Sequence, residues 1–258
     1  MKKLISLFAS ALIITLSSCG IEDPIVTVNN SEDIIVDTAK ISELRTDISV
    51  GNIEIGYGDT DKAEIHVDYK IQGITQNKVS AVSEHLSCNA EIVDDVFVVS
   101  MVDPDSGKSF WEWKNSNAKS VEVSTDIKII LPECFSAFDI KSDVGNIKTN
   151  KLKGCFDIKC DVGDLEMNDV SLLSDSDLCV DVGNCLLSLV EVSDNETKIS
   201  VDVGNITLDT GNLKYVVASG DEEKPVGGKR EILVDDKCSI KLECDVGNLE
   251  FNQEDSNV

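Results

Sequence analysis

Five aspartates, Asp143, Asp161, Asp181, Asp202 and Asp245, sit at one position of a recurring phrase, Asp-Val-Gly-Asn or Asp-Val-Gly-Asp. On stacked strands they would form an outward column of carboxylates about 4.8 Å apart, a spacing at which like charges repel. Oxygen-rich columns of this kind attract Ca²⁺, so calcium bridging is one reading of the column. No single copy of the phrase supplies the six or more ligands of a dedicated calcium loop. The competing reading is local: each carboxylate accepts hydrogen bonds from the following Gly and Asn amides in an Asx-type turn. Outward lysines at Lys141, Lys159 and Lys241 dilute the repulsion. The local reading is preferred, and no resident metal or cofactor is expected.

The second chemically distinctive set is cysteine, nine in all. Cys155/Cys160, Cys179/Cys185 and Cys238/Cys244 are separated by four, five and five residues. Structural zinc sites favour two to four, usually in two matched pairs, so zinc is disfavoured. Strand parity points Cys160, Cys185 and Cys244 inward and Cys155 and Cys179 outward, so rung-to-rung disulfides do not follow. Together with Cys88, Cys134 and Cys238 these are read mainly as thiols packed as small hydrophobes, with disulfides the alternative in an exported chain. Phe110-Trp111-Glu112-Trp113 gathers both tryptophans into a polar insert spanning 103–119. Phe110, Trp111 and Trp113 are therefore candidates for a binding loop, against the simpler reading that they cover an edge of the core. His66 and His85 are the only histidines, and no serine elbow, phosphate-cradling loop or paired-histidine motif accompanies them. A non-catalytic protein is expected.

Cys19 has a different context. Lys2 and Lys3 precede an apolar stretch from Leu4 to Leu16 of about thirteen residues, too short to span a bilayer core that needs roughly twenty. Leu16-Ser17-Ser18-Cys19 resembles the bacterial lipobox, in which the cysteine is acylated and becomes the new N-terminus. Residues 1–18 are read as a lipoprotein signal peptide and 19–38 as a lipidated tether, with Ile34 to Val36 entering a first strand. Gly20 after the cysteine, by resemblance to Gram-negative sorting signals, argues for the outer membrane, on its periplasmic or its surface face.

The formal charge is −25, and loss of Lys2 and Lys3 leaves 21 basic against 48 acidic side chains, about −27. That field repels nucleic acid and anionic headgroups and favours cations or basic partner surfaces. Apolar content of 41% excludes wholesale disorder, and 5% aromatics requires an aliphatic core.

The repeat must position all of these residues. Successive glycines of the phrase, Gly145, Gly163, Gly183, Gly204 and Gly247, are 18, 20, 21 and 43 residues apart. Ser49-Val50-Gly51-Asn52-Ile53 is an earlier degenerate copy, and Val216-Val217-Ala218-Ser219-Gly220 fills the place of a decayed one. A period near twenty carried by strands predicts a parallel β-solenoid. Ile158, Cys160 and Val162 are expected inward, as are Ile199, Val201 and Val203, and Ile240, Leu242 and Val246. The solenoid is assigned to 134–252, followed by a tail at 253–258. Residues 39–133 read as a β-rich cap with one short helix around Val79, Val82 and Leu86, a strand from Ala63 to Ile71, a hairpin turning at Asp94-Asp95 and a strand from Val121 to Leu131.

Ile127-Lys128-Ile129-Ile130-Leu131-Pro132 followed by Phe138-Asp139-Ile140-Lys141-Ser142-Asp143-Val144-Gly145-Asn146-Ile147 resembles the bacterial putative-adhesin domain family of unknown function. The resemblance spans roughly 40–253 and implies a right-handed β-solenoid and a role by analogy in adhesion; the family carries no assigned reaction. The chain departs from it in having Asp-Val-Gly-Asn instead of Ser-Ser-Gly-Asp, and in its many cysteines. The expected function is an acidic, lipid-anchored envelope protein offering a solenoid for adhesion or for binding an envelope protein or glycan. The alternatives are an envelope-stress sensing component and a polysaccharide-active solenoid enzyme.

Overall fold

The computed structural model describes residues 13–17, 25–220 and 227–252, and these form twenty strands and two helices. Most of the amino-terminal segment and Cys19 lie outside the described residues. The exception is β1 (Ile13–Ser17), which pairs antiparallel with β2 (Ile25–Val36). The fold is all-β, as composition and alternation predict.

Six consecutive strand pairs share one layout: β3 (Glu43–Val50) with β4 (Asn52–Tyr57), β9 (Ala137–Val144) with β10 (Ile147–Asn150), β11 (Lys153–Val162) with β12 (Leu165–Leu172), β13 (Ser176–Val182) with β14 (Cys185–Val192), β15 (Glu196–Val203) with β16 (Ile206–Asp209), and β19 (Cys238–Val246) with β20 (Leu249–Asn252). Each pair meets at the Gly of the repeated phrase. The second members stack in parallel in sheet A, and the first members stack in parallel in sheet B. Register is set by the phrase itself: Val50, Val144, Val162, Val182, Val203 and Val246 are neighbours on successive strands.

Glycine is required at the corner for two reasons. Gly145, Gly163, Gly183, Gly204 and Gly247 have φ between +142° and +153°, where side-chain-bearing residues are strained. In addition, a Cβ on Gly183 would lie 1.9 Å from the carbonyl oxygen of Gly163 on the preceding rung, and the same collision recurs along the column. Up to Gly204, each corner glycine amide donates to the valine carbonyl of the following rung, as Gly163 does to Val182 at 3.0 Å.

The inward positions form one core. Ile158, Cys160, Leu165, Met167, Val180, Cys185, Leu187, Val201, Ile206 and Leu208 are each at most 1% exposed. Phe138 and Phe156 stack at 5.1 Å between neighbouring rungs.

Several expectations are corrected. Parallel stacking begins at Glu43, because the degenerate copy at 49–53 forms a complete first rung; the boundary at 134 is too late. Residues 25–36, expected to be mostly tether, form the long strand β2, which pairs along its length with β5 (Ala63–Gly73). β5 alternates strictly and pairs antiparallel with β8 (Glu122–Leu131), which then lies parallel to β4 and closes the first rung onto these outer strands. The segment around Val216 is not a decayed rung: β17 (Tyr215–Gly220) and β18 (Gly228–Val234) form an antiparallel pair on β19, so β19 stacks directly on β15. The described residues form two helices, α1 (Gln76–Glu84), which matches the expected one, and α2 (Phe110–Asn117), which no expectation covers. The hairpin of β6 (Ser87–Val93) and β7 (Val96–Val102) does turn at Asp94-Asp95, both with positive φ as a type I′ turn requires.

Gly183→Ala is predicted to cost ~3 kcal/mol, a fall in Tm of about 10 °C. Gly56→Ala, whose Cβ would meet nothing closer than 3.6 Å, should stay within ~0.5 kcal/mol of the parent. Thermal unfolding by circular dichroism compares the two, and equal losses would show that the corner is not the constraint.

Candidate binding surface

The valine before each corner glycine is exposed, contrary to the inward expectation for Val162, Val203 and Val246. Val144, Val162, Val182, Val203 and Val246 are 47%, 47%, 48%, 47% and 52% exposed. Strict alternation stops two residues short of the glycine because the backbone leaves the flat sheet to enter the corner. Cys160 and Val180 are the last inward side chains of their strands, and the next valine projects from the outer edge. Five valines in register at about 4.8 Å make an apolar stripe about 19 Å long.

Polar columns border the stripe on both sides. The same register places Asp143, Asp161, Asp181, Asp202 and Asp245 side by side, with Ser49 at the head of the column. Lys159 Nζ lies 2.8 Å from Asp161, and this contact raises the lysine pKa. Past the glycines runs a ladder of Asn52, Asn146, Asp164, Asn184, Asn205 and Asn248. Each side-chain oxygen accepts the backbone amide of the next rung: Asn146 N–H to Asn52 Oδ1 at 3.0 Å, Asp164 to Asn146 at 2.9 Å, Asn184 to Asp164 at 2.8 Å. Asn184 and Asn205 also donate their side-chain Nδ2 to the preceding oxygen, both at 2.9 Å. This overturns the Asx-turn reading, since the Gly amides go to the next rung and the Asn amides to the ladder, leaving the Asp carboxylates facing outward.

Among the described residues, the side chains whose potential ligand atoms lie within 4.8 Å of one another are His85, Asp103 and Asp105, not the Asp column. His85 caps the C-terminal end of α1, and its Nδ1 is 2.8 Å from Asp103 Oδ1. Asp103 is buried and also accepts from Ser106 Oγ at 2.5 Å and from the Asp105 amide at 3.2 Å. The Ser106 hydroxyl, with His85, holds the Asp103 carboxyl down to about 2. Trp113 stacks on the His85 ring at 4.0 Å. The cluster ties α1 to the turn ahead of α2 with every close group engaged.

The aromatic insert is a helix rather than a loop. Phe110 is fully buried and Trp111 is 7% exposed, the two rings meeting edge to face at 4.9 Å, while Trp113 is half-buried against His85. These three residues pack against the core and each other. The signal for the helix was Ser109-x-x-Glu112, a capping-box pattern, although the Ser109 hydroxyl makes no capping bond.

The eight described cysteines are free thiols. Cys160 stands beside Ser142 and Val180, so cysteines do not face each other on adjacent rungs. Cys160 and Cys244 each donate to the corner carbonyl of the preceding rung, Gly145 and Gly204, at 3.4 Å. Burial pushes the Cys185 thiol up to about 12 and Cys160 and Cys238 up to about 11, so they are poor nucleophiles. Cys134 is exposed.

The Asp103 contacts give a pH signature. A carboxyl held at about 2 in the fold against 3.8 unpaired contributes stability above pH ~4 that is lost as pH falls towards 2. The difference in Tm between the parent and Asp103→Asn should therefore be constant from neutrality to about pH 4.5 and shrink below it. A difference independent of pH down to about 2.5 would contradict this.

No protein-family model and no curated protein sequence matches the chain. Among solved structures it is similar to one described as "a putative cell adhesion protein from Clostridium sporogenes", at 12% identity and a TM-score of 0.37, covering 88% of this chain and 100% of that one. It is also similar to "a putative adhesin" from Bacteroides fragilis, at 17% identity and a TM-score of 0.30, covering 86% of this chain and 96% of the other.

Proposed function

We propose that the chain is a non-catalytic bacterial envelope lipoprotein, anchored through Cys19, whose stacked rungs form a right-handed β-solenoid that serves adhesion by binding an envelope protein or glycan along the valine stripe. The observation that carries this reading is the stripe itself. Five valines from five rungs stay half exposed in register, although every other column on that face of sheet B is polar or charged at most rungs. Exposed apolar rows framed by polar residues mark interaction sites. The aspartates on one flank suit a partner carrying basic groups, and the Asn ladder on the other keeps the backbone rigid, so little entropy is lost on binding.

The anchor is a separate part of the proposal. Acylation at Cys19 places the stripe at the membrane with no spanning helix, and among the described residues no helix is long and apolar enough to cross a membrane. Cleavage ahead of Cys19 would remove Ile13–Ser17 and leave β2 as the outermost strand of sheet A. The buried, neutral thiols and the fully engaged His85–Asp103 pair fit a protein that presents a surface rather than transforms a substrate.

Two measurements test the two parts. Cys19→Ala should move the protein from the membrane to the soluble fraction, and a variant still wholly membrane-bound would refute the anchor. Replacing Val162, Val182 and Val203 by Glu should leave the fold intact by circular dichroism. It should also abolish binding of protein-coated beads to envelope glycan and protein arrays. Unchanged array binding would move the contact surface elsewhere.

A further inference from the structure

Sheet B continues past the last rung where sheet A stops. Sheet A ends at β20, whereas sheet B adds β18 and then β17. Ile232 and Val234 of β18 are fully buried, but β17 is exposed from Val216 to Gly220, with Val216 at 61% and Val217 at 46%. Among the described residues, no strand pairs with the other edge of β17. Half of its backbone N–H and C=O groups therefore point outward with a sheet partner on one side alone, the condition under which another strand adds readily.

Native proteins guard such edges with charge, proline or irregularity. β6, the opposite edge of sheet B, carries Glu91 and ends at Asp94-Asp95, and β20 carries Glu250. β17 reads Tyr215-Val-Val-Ala-Ser-Gly220, with no charge and no proline. Its irregularity lies late, in a register shift between Val217 and Ser219, so the strand is regular up to Val217. In a chain of net charge −25, β17 itself carries no charged side chain, so a second copy pairing along Tyr215–Val217 sets no like charges directly opposite each other.

We infer that β17 is a self-association edge, at which two copies of the chain pair β17 to β17, antiparallel, about a two-fold axis perpendicular to sheet B. An axis of this kind sets each residue opposite one on the same face, so the register must relate residues of equal parity. Centred on Val216, it uses the regular part of the strand. Val216 then faces Val216 of the second copy on the outer face, and Tyr215 faces Val217 of the second copy on the inner face. The latter is an aromatic–β-branched cross-strand pair, among the favourable combinations in antiparallel sheets. Val217 and Tyr215 share the inward side because they pair with Ile232 and Val234. The contact buries the two most exposed apolar side chains of the edge and joins the two copies of sheet B into one sheet. It rests on the sheet edge and is independent of the valine stripe.

The test uses the full-length chain in its membrane, with Cys134→Ser to remove the exposed thiol. Val216→Cys should give a dimer under mild oxidation that disappears on reduction, because the axis places that residue opposite itself. Val190→Cys, on a residue 52% exposed on β14, should give none. In detergent, sedimentation should show the parent dimerising, and Val216→Lys should weaken it at least about tenfold with unchanged circular dichroism. A parent that stays monomeric at ~100 µM, a Val216→Lys variant that dimerises as tightly as the parent, or no crosslink at Val216→Cys would each overturn the inference.

Discussion

The structure depends on one close approach: the corner glycine of each rung lies against the corner carbonyl of the rung before it. With Cβ-to-oxygen separations that would fall between 1.4 and 2.1 Å, no other residue fits, and the positive φ independently selects glycine. The contact fixes where each rung turns and hence which residues are neighbours along the stack. Register errors of one residue would move a whole strand's apolar set to the outside, so an invariant corner is an efficient way to prevent them. The Gly–Val and Asn–Asn hydrogen bonds then satisfy the corner amides without help from water.

From that register the rest of the molecule follows as columns. Inward columns are aliphatic with occasional cysteine, which adds a weak donor to the corner carbonyl at a position where other rungs carry valine or isoleucine. Outward columns alternate charge on sheet A, where Lys128 approaches Glu54 and Lys148 bonds Glu166 at 2.7 Å. On sheet B they leave the aspartates in a row. The valine stripe is a by-product of the corner geometry: the residue entering the turn does not reach the core, yet it is β-branched and apolar on every rung.

The ends of the stack are managed differently. At the amino-terminal end, Thr125 takes the place of a preceding corner, its Oγ1 donating to Val50 at 2.8 Å, and the antiparallel strands β8, β5 and β2 continue sheet A. Helix α2 packs on β7 at the same end, with Phe110 fully buried. At the carboxy-terminal end, Tyr215 stacks on Phe251 at 6.0 Å and a two-stranded extension of sheet B overhangs. The amino-terminal end is covered by α2 and by antiparallel strands with a charged edge, and the carboxy-terminal end leaves the uncharged edge of β17.

The sequence by itself determined the repeat, its corners and the parity of the core, because a period-two pattern punctuated by an obligatory glycine is a local signal. Cys160, Cys185 and Cys244 were assigned inward on parity alone, and they are buried. The Asp column was also legible, since in-register stacking follows from the phrase. Only the tertiary structure decided what lay beyond local pattern. Val162, Val203 and Val246 fit an inward parity, yet the bend into the corner turns them out. The Gly and Asn amides looked available to the aspartates, yet the adjacent rung claims them at 2.8 to 3.2 Å. The segment at 215–220 occupies the place of a rung in sequence, but β19 reaches β15 first and leaves it as an edge. Pairing partners on adjacent rungs, 18 to 94 residues apart, are set by which backbone is free at closure, and that is a property of the assembled stack and not of any stretch of chain.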